Sequence, residues 1–475
     1  MNLKRILFAS FIAISAAFLL PACEEGLTCP GDPGCPPIDP TVITDDGSGI
    51  GNRTFEDGQV YILSGFCFVN PGQTLQIEPG AVLKFKPGQG ANSSALIVAR
   101  GGKINARGTA AKPIIFTAEQ DDLSTPNDIP ANTTGLWGGI ILLGNAKLNS
   151  TPGETAIEGI PTSESRGLYG GNDDTDNSGV FAYASIRYGG TDIGAGNEIN
   201  GLTLGGVGSG TEIHHVEVIY NADDGVEFFG GKPNTKNMVV AFCGDDSYDY
   251  DEGFRGNGQF WFTIQSPDAG SDRCGEHDGG TTPETAMPYA KPVIYNATYI
   301  GSGDAQGTRM ITFRDNAGGE YHNSIFIEQN KGIDIELLGG GTPGNIDHSY
   351  DQFSEGNLKL VDNVFWNVAG NDPSKVFGIS PAKYGGISIV DSTAEVDAAK
   401  AALIAYFVSA GNTVANPNIM VSYNPDGGLN PVPSGLSAGS LPADSWFDNV
   451  TYKGAFGSEN WLKGWTFLDE MGYLQ

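Results

Sequence analysis

The sequence is short of positive charge. Its 475 residues carry 26 Lys and Arg against 56 Asp and Glu, a formal net charge of −30 at pH 7. Phosphate backbones and anionic headgroups repel such a surface, which excludes nucleic acid as a partner. Charge of either sign is scarce: 17% of residues are charged, below the usual quarter. That argues against coiled coils and helical bundles, which want Ala, Glu, Lys and Leu. Histidine numbers only 5 and cysteine 6; the histidines are scattered and no Cys-x-x-Cys pair occurs, so no zinc site is expected. The apolar run Ile6 to Leu20, about 15 residues, is too short for a comfortable transmembrane helix. Glycine, in contrast, fills 69 positions, about twice its usual share, which favours many short strands joined by tight turns.

Residues 1–22 form an export signal, with Lys4 and Arg5 before the apolar run. Leu20-Pro21-Ala22-Cys23 then resembles the bacterial lipobox. The resemblance implies lipidation of Cys23 and a stable lipid anchor, since several acyl chains hold where one is marginal. Glu24 and Glu25 resemble the acidic signal that some Bacteroidetes-type bacteria use to place lipoproteins on the outer face of the outer membrane. Residues 23–55, rich in Pro, Gly, Asp and Thr, read as a flexible tether. An oxidising compartment permits disulfides. Cys29 and Cys35 can close a short loop in the tether, Cys243 and Cys274 are expected to pair, and Cys67 reads as a buried free thiol.

From residue 56 to 390 short alternating runs recur, such as Gln73 to Glu78, Val82 to Phe85, Ala95 to Ala99, Lys112 to Ala118 and Leu136 to Leu142. They look like a right-handed parallel β-helix of the pectin-lyase type, in which equivalent residues of successive coils stack. Sliding Val216–Phe228 by about 22 residues, a coil length, lays Val218 on Val240, Asp223-Asp224 on Asp245-Asp246, Glu227 on Asp249 and Phe228 on Tyr250. Ala184, Ile186 and Tyr188 match Val216, Val218 and Tyr220, and Asn296, Asn323 and Asn363 open three further coils. Residues 391–475 break the pattern. Ser392 and Glu395 form a capping box, and Val396, Ala399, Leu403 and Phe407 follow helical spacing until Gly411-Asn412 stops it. This helix is expected to cap the open ladder, with an aromatic-rich tail, Trp446 to Thr466, folded back on the solenoid.

Gly135 to Ile140, Ala222 to Gly231, Cys243 to Gly253, and Tyr452 to Phe456 with Trp461 to Thr466 resemble uncharacterised bacterial surface lipoproteins related to a leptospiral outer-membrane lipoprotein. That resemblance implies fold and address and supplies no activity.

The acidic turns carry the chemistry. Asp223, Asp224 and Glu227 should lie beside Asp245, Asp246, Asp249, Asp251 and Glu252 one coil on, about 5 Å away. Three arrangements could relieve the repulsion or exploit it. Calcium takes 6 to 8 oxygen ligands of this kind. Turn amides with Arg255 or Lys236 could neutralise the acids without a metal. Catalysis would use Asp223, Asp224, Asp245 and Asp246 as acid and base. Asn221-Ala222-Asp223 and Gly244-Asp245-Asp246 resemble half of the polygalacturonase signature, but Gly-His-Gly and Arg-Ile-Lys are missing. His277 is the nearest histidine candidate, and Arg309 or Arg314 could serve a lyase as base. Asp174 to Gly179 matches the first half of an EF-hand-like loop, but its twelfth position is Ser185. His214 and His215 begin a strand, so alternation should put them on opposite faces. The sequence therefore predicts an all-β, outer-membrane-anchored, non-enzymatic binding protein with a long acidic flank. Its expected partners are a glycan, a metal ion or an outer-membrane transporter; a polysaccharide hydrolase or lyase and a structural adhesin are the alternatives.

Overall fold

The computed structural model describes residues 42–193, 198–268, 270–280, 283–303, 308–338, 347–381, 383–384, 387–388 and 393–475. The export signal, Cys23, Cys29, Cys35 and Ser392 lie outside the described residues.

Ten strands pair in chain order, every one parallel to its neighbours. They are Phe66–Val69, Ala95–Val98, Ile140–Leu143, Leu202–Gly205, Val226–Phe229, Tyr248–Asp251, Gly275–Asp278, Arg309–Arg314, Lys331–Leu337 and Phe377–Pro381. Order in space equal to order in sequence is the mark of a coil, because each strand meets its counterpart one turn later. The second sheet winds the same way: Gly179–Arg187 pairs with Glu212–Ile219, which pairs with Asn234–Ala241. The fold is a parallel β-helix. The stacking deduced from the sequence is found residue by residue, with Glu227 on Asp249, Phe228 on Tyr250, Val218 on Val240 and Ala184 on Val216. The first rung begins earlier than the sequence suggests. Val42–Ile43 pairs with Ile62–Leu63, and Thr54–Phe55 with Gln76–Ile77, so the coil starts inside the segment assigned to the tether.

From Gly179–Arg187 onward the wall bends at a column of left-handed residues, one per coil: Tyr183 (φ 48°), His215 (51°), Asn237 (54°), Phe260 (58°), Asn296 (56°), Asn323 (51°) and Asp362 (58°). Side chains other than Gly, Asn and Asp tolerate this region poorly, so four of the seven being Asn or Asp eases the corner. The bend interrupts alternation, which overturns the expectation for His214 and His215. Their Nδ1 atoms meet at 3.0 Å, and the His215 ring stacks on Tyr183 at 4.2 Å.

Inside, Phe228, Trp261, Tyr248 and Tyr299 stack in succession and are fully buried. Cys67, Cys243 and Cys274 are buried free thiols, which corrects the expected Cys243–Cys274 bridge. Tyr248 sits opposite Gly275, so the rung neighbour of Cys274 is Ser247 and not Cys243.

Helix Thr393–Ser409 buries Ala399, Leu403 and Phe407, with the Phe407 ring 5.3 Å from Phe377 of the last strand. Gly411 ends it at φ 75°. The tail then runs back along the corner column. Gln259 donates to the Asp448 carbonyl (2.9 Å), Asn296 to that of Tyr452 (2.8 Å) and Asn323 to that of Ser440 (2.7 Å). Asn363 instead bridges coil to coil, donating to the Tyr321 carbonyl and accepting from the Ser324 amide. Farther on, the buried Glu217 carboxylate accepts the Phe467 and Leu468 amides at 2.7 and 2.9 Å, pinning the short helix Phe467–Glu470. Phe447, Phe456, Trp465 and Phe467 are buried against the solenoid.

Candidate functional site

One outward column of the ten-stranded sheet places the site. It reads Phe68, Ile97, Ile141, Thr203, Glu227, Asp249, Glu276, Thr312 and Asp334, each residue in register with the next. The apolar members lie under an insertion that follows Ile140–Leu143, whose Leu148, Ile157, Ile160, Tyr169 and Ile199 form a second hydrophobic cluster with them. Where that cover ends, the column turns acidic.

The result is a cleft of about 230 Å³ lined by Glu158, Glu198, Asn200, Asp223, Asp224, Glu227, Asp245, Asp246, Asp249 and Glu276. The strands supply Glu227, Asp249 and Glu276; the Gly-rich turns before them supply the paired aspartates. Gly244 permits the stacked turns, because a Cβ there would lie 2.1 Å from the Ala222 carbonyl oxygen. Three carboxylate triads have candidate ligand oxygens within 4.8 Å of one another: Asp223/Asp224/Asp245, Asp224/Glu227/Asp249 and Asp245/Asp246/Asp272. Asp224 and Asp245 are each shared by two.

Internal hydrogen bonds satisfy only part of this charge. Asn200 donates to Glu158 at 2.9 Å and also to Glu227. The Asp246 amide donates to Asp224 at 2.9 Å, and the Arg273 amide to Asp246 at 2.6 Å. Arg273 reaches Asp246 at 3.1 Å and also Glu276; Arg314 reaches Glu276 at 2.9 Å and Asp278 at 2.7 Å. These two guanidiniums close one end of the cleft. A buried oxygen of Asp249 has no hydrogen-bond partner among the described residues. Burial, then the carboxylates of Glu158, Glu198 and Asp245, push the Asp223 carboxyl up to about 8. Asp224, Glu227, Asp246 and Asp249 stand well above the ordinary carboxylate range, through burial first and acidic neighbours second. Glu276 is pushed up to about 7 by burial despite its two arginines.

The structure thus brings together six of the eight acids expected side by side: Asp223, Asp224, Glu227, Asp245, Asp246 and Asp249. Asp251 belongs to none of the triads and accepts from the Glu252 amide at 2.5 Å, while Glu252 accepts from Ser150 and Tyr169. The acidic flank is shorter than expected, since threonines bound it at Thr203 and Thr312. Arg255 and Lys236 do not neutralise it; they pair with Asp174 (2.9 Å) and Asp448 (3.1 Å). Glu158, Glu198, Asn200, Asp272 and Glu276 were missed. Glu276 had a signal, because Tyr248-Asp249-Tyr250-Asp251 repeats in outline as Gly275-Glu276-His277-Asp278. Glu158 and Glu198 come from the insertion, which no coil repeat predicts.

The other candidates disperse. His277 points into the core, stacked on Tyr250 at 4.0 Å and hydrogen-bonded to the Tyr321 hydroxyl at 2.8 Å, so burial holds it neutral at about 3. Arg309 pairs with Asp334. In the loop Asp174–Gly179, Asp174 binds Arg255 and the Lys147 amide, Asp176 binds the Asn145 amide, and Ser185 is buried on a wall strand donating to Glu217.

A family model described as a pectate-lyase-like beta helix domain matches residues 47–403. No curated protein and no solved structure matches the chain.

Proposed function

The chain belongs to the family of pectate-lyase-like β-helix domains, and on that premise we propose that it is a non-enzymatic binding protein whose acidic cleft holds calcium. The observation that carries this reading is the set of overlapping triads. Calcium binds oxygen at about 2.3–2.6 Å, so ligands on opposite sides of one ion stand about 5 Å apart. The triads, with oxygens within 4.8 Å, fit that diameter. A hard cation also supplies what Arg273 and Arg314 supply at one end only, charge to set against buried carboxylates. The test is a melting curve of the full chain in EDTA and in millimolar calcium. Calcium at 100 times its Kd should add about 2.7 kcal/mol of stability; an unchanged midpoint removes the proposal.

Lipid on Cys23 would hold this body at the outer membrane, where a glycan or an outer-membrane transporter is its partner. Incorporation of labelled palmitate, lost in Cys23→Ala, tests the anchor.

One observation favours a second reading, polysaccharide hydrolysis or lyase chemistry. Asp223 and Glu276, at about 8 and about 7, would place protonated and ionised carboxyls in one cleft near neutral pH. Product release from homogalacturonan by wild type, abolished in Asp245→Asn, would establish it; no product from either protein excludes it for that glycan.

A further inference from the structure

The His214-His215 pair and the aromatic tail play no part in the acidic cleft, yet the fold brings His214 and Trp446 to one groove. Glu212 and His214 on one coil face Asn234 and Lys236 on the next, as register partners. The tail residues Ser445 and Trp446 form the opposite wall, and the space between is about 520 Å³. Pockets for small organic ligands run from about 300 to 1,000 Å³.

The groove is built on fixed parts. Arg107 holds Glu212 with two hydrogen bonds of 2.6 Å, and His214 Nε2 lies 3.2 Å from the same carboxylate. Lys236 pairs with Asp448 at 3.1 Å while its ammonium sits 4.8 Å from the centre of the Trp446 ring. The wall is tied down by the mutual bonds of Gln259 with the Asp448 amide (2.8 Å) and carbonyl (2.9 Å). The side chains of Lys236 and His214 are only 21% and 29% exposed, so they are packed into the floor and do not wave in solvent.

The chemistry of the lining selects the ligand. Arg107 offsets Glu212 and Asp448 offsets Lys236, so the groove lacks the excess negative charge of the cleft and does not call for a cation. The field of a chain at −30 repels anions. What remains is an uncharged molecule that offers donors and acceptors together. A hydroxyl does both, and matches a surface made of carboxylate, amide, imidazole and ammonium. Trp446 adds an indole with an apolar body. Polyhydroxylated ligands with an apolar C–H face are sugars. We propose that this groove is a saccharide-binding site, in which Trp446 supplies the stacking surface and Glu212, His214, Asn234 and Lys236 bind hydroxyls. This gives the binding-protein reading a ligand class and a place, apart from the cation cleft.

The experiment is a titration of the full chain, followed by tryptophan fluorescence, with neutral hexasaccharides of glucose, mannose, xylose and galactose. At least one should give a saturable change. Trp446→Ala should abolish its binding, measured calorimetrically, and Glu212→Gln should weaken it at least tenfold. Both variants should keep the calcium response of wild type, which shows that they are folded and separates this site from the cleft. Should Trp446→Ala lose that response, Asn234→Leu, on the sheet side of the groove, replaces it. Failure of all four sugars to bind, or equal binding by wild type and both groove variants, overturns the saccharide site. Loss of the calcium effect in wild type alone would overturn the cleft reading and leave this one standing.

Discussion

Replacing one carboxylate of the cleft should stabilise the protein without calcium and weaken it with calcium. Asp223 is the best choice, since its carboxyl is pushed from 3.8 to about 8. A group whose folded value lies above its unfolded value favours the fold fully below the unfolded value, and that advantage is lost as the pH rises toward the folded one. At pH 8 the loss is about four units, roughly 5 kcal/mol at 1.36 kcal/mol per unit. Asp223 is partly exposed, and solvent screening brings this to about 2 kcal/mol. Unfolding entropy of about 2.1 cal/mol/K per residue gives a chain of this length about 1 kcal/mol/K, so Asp223→Asn should melt about 2 °C above wild type in EDTA at pH 8. The gap should close as the pH falls to 4. In calcium the order should reverse, because the variant has lost a ligand of one triad. Scanning calorimetry at both pH values, with EDTA and with calcium, reads all four conditions. An Asn variant that melts at or below wild type in EDTA at pH 8 would mean that Asp223 is not crowded by its acidic neighbours.

Glu217→Leu removes the acceptor of two tail amides and a buried carboxylate that interacts with the Arg187 guanidinium, leaving Arg187 its 3.1 Å pair with Glu470; a cost of about 3–5 kcal/mol is expected, with faster hydrogen exchange at Phe467 and Leu468. Phe407→Ala opens a cavity between the C-terminal helix and Phe377, and should cost about 3–5 kcal/mol by denaturant melt. Gly244→Ala drives a methyl to within 2.1 Å of the Ala222 carbonyl oxygen; it should cost about 1–3 kcal/mol and abolish the calcium-induced shift by separating the stacked turns.

The coil was legible because side chains in a parallel ladder stack on their own kind, so Val218 and Val240, or Glu227 and Asp249, announce the offset without any structure. Insertions hide the same signal. The segment between Leu143 and Leu202 carries Glu158 and Glu198 to the cleft from positions with no counterpart on other coils. Cys243 and Cys274 looked paired because they share one stretch of sequence. A coil, however, turns proximity along the chain into different corners of the cross-section. The same corners deceived at His214 and His215, where a single left-handed residue cancels the alternation that a strand otherwise guarantees. The tail gave no sequence hint of its route, since it binds through Gln259, Asn296 and Asn323, whose repeat also fits coil-to-coil bridging.

The outward column also sets how many ions the cleft can hold. A residue type repeated on every rung multiplies its own repulsion, because like charges directly opposite destabilise a sheet. Here the acids occupy three rungs, Glu227, Asp249 and Glu276, and threonine follows at each end. Strands about 4.8 Å apart make that window about 10 Å long. Arg273 takes Asp246 and Glu276, so the third triad already has its cation. The remaining two triads share Asp224, and a shared carboxylate bridges two neighbouring ions or serves one. Calorimetric titration should therefore find one or two calcium ions per chain. Arg273→Gln, by releasing Asp246, should add a site or tighten one. Three or more ions bound by wild type would mean that Arg273 does not occupy the far end, and that the acids act as a diffuse field and not as a cage.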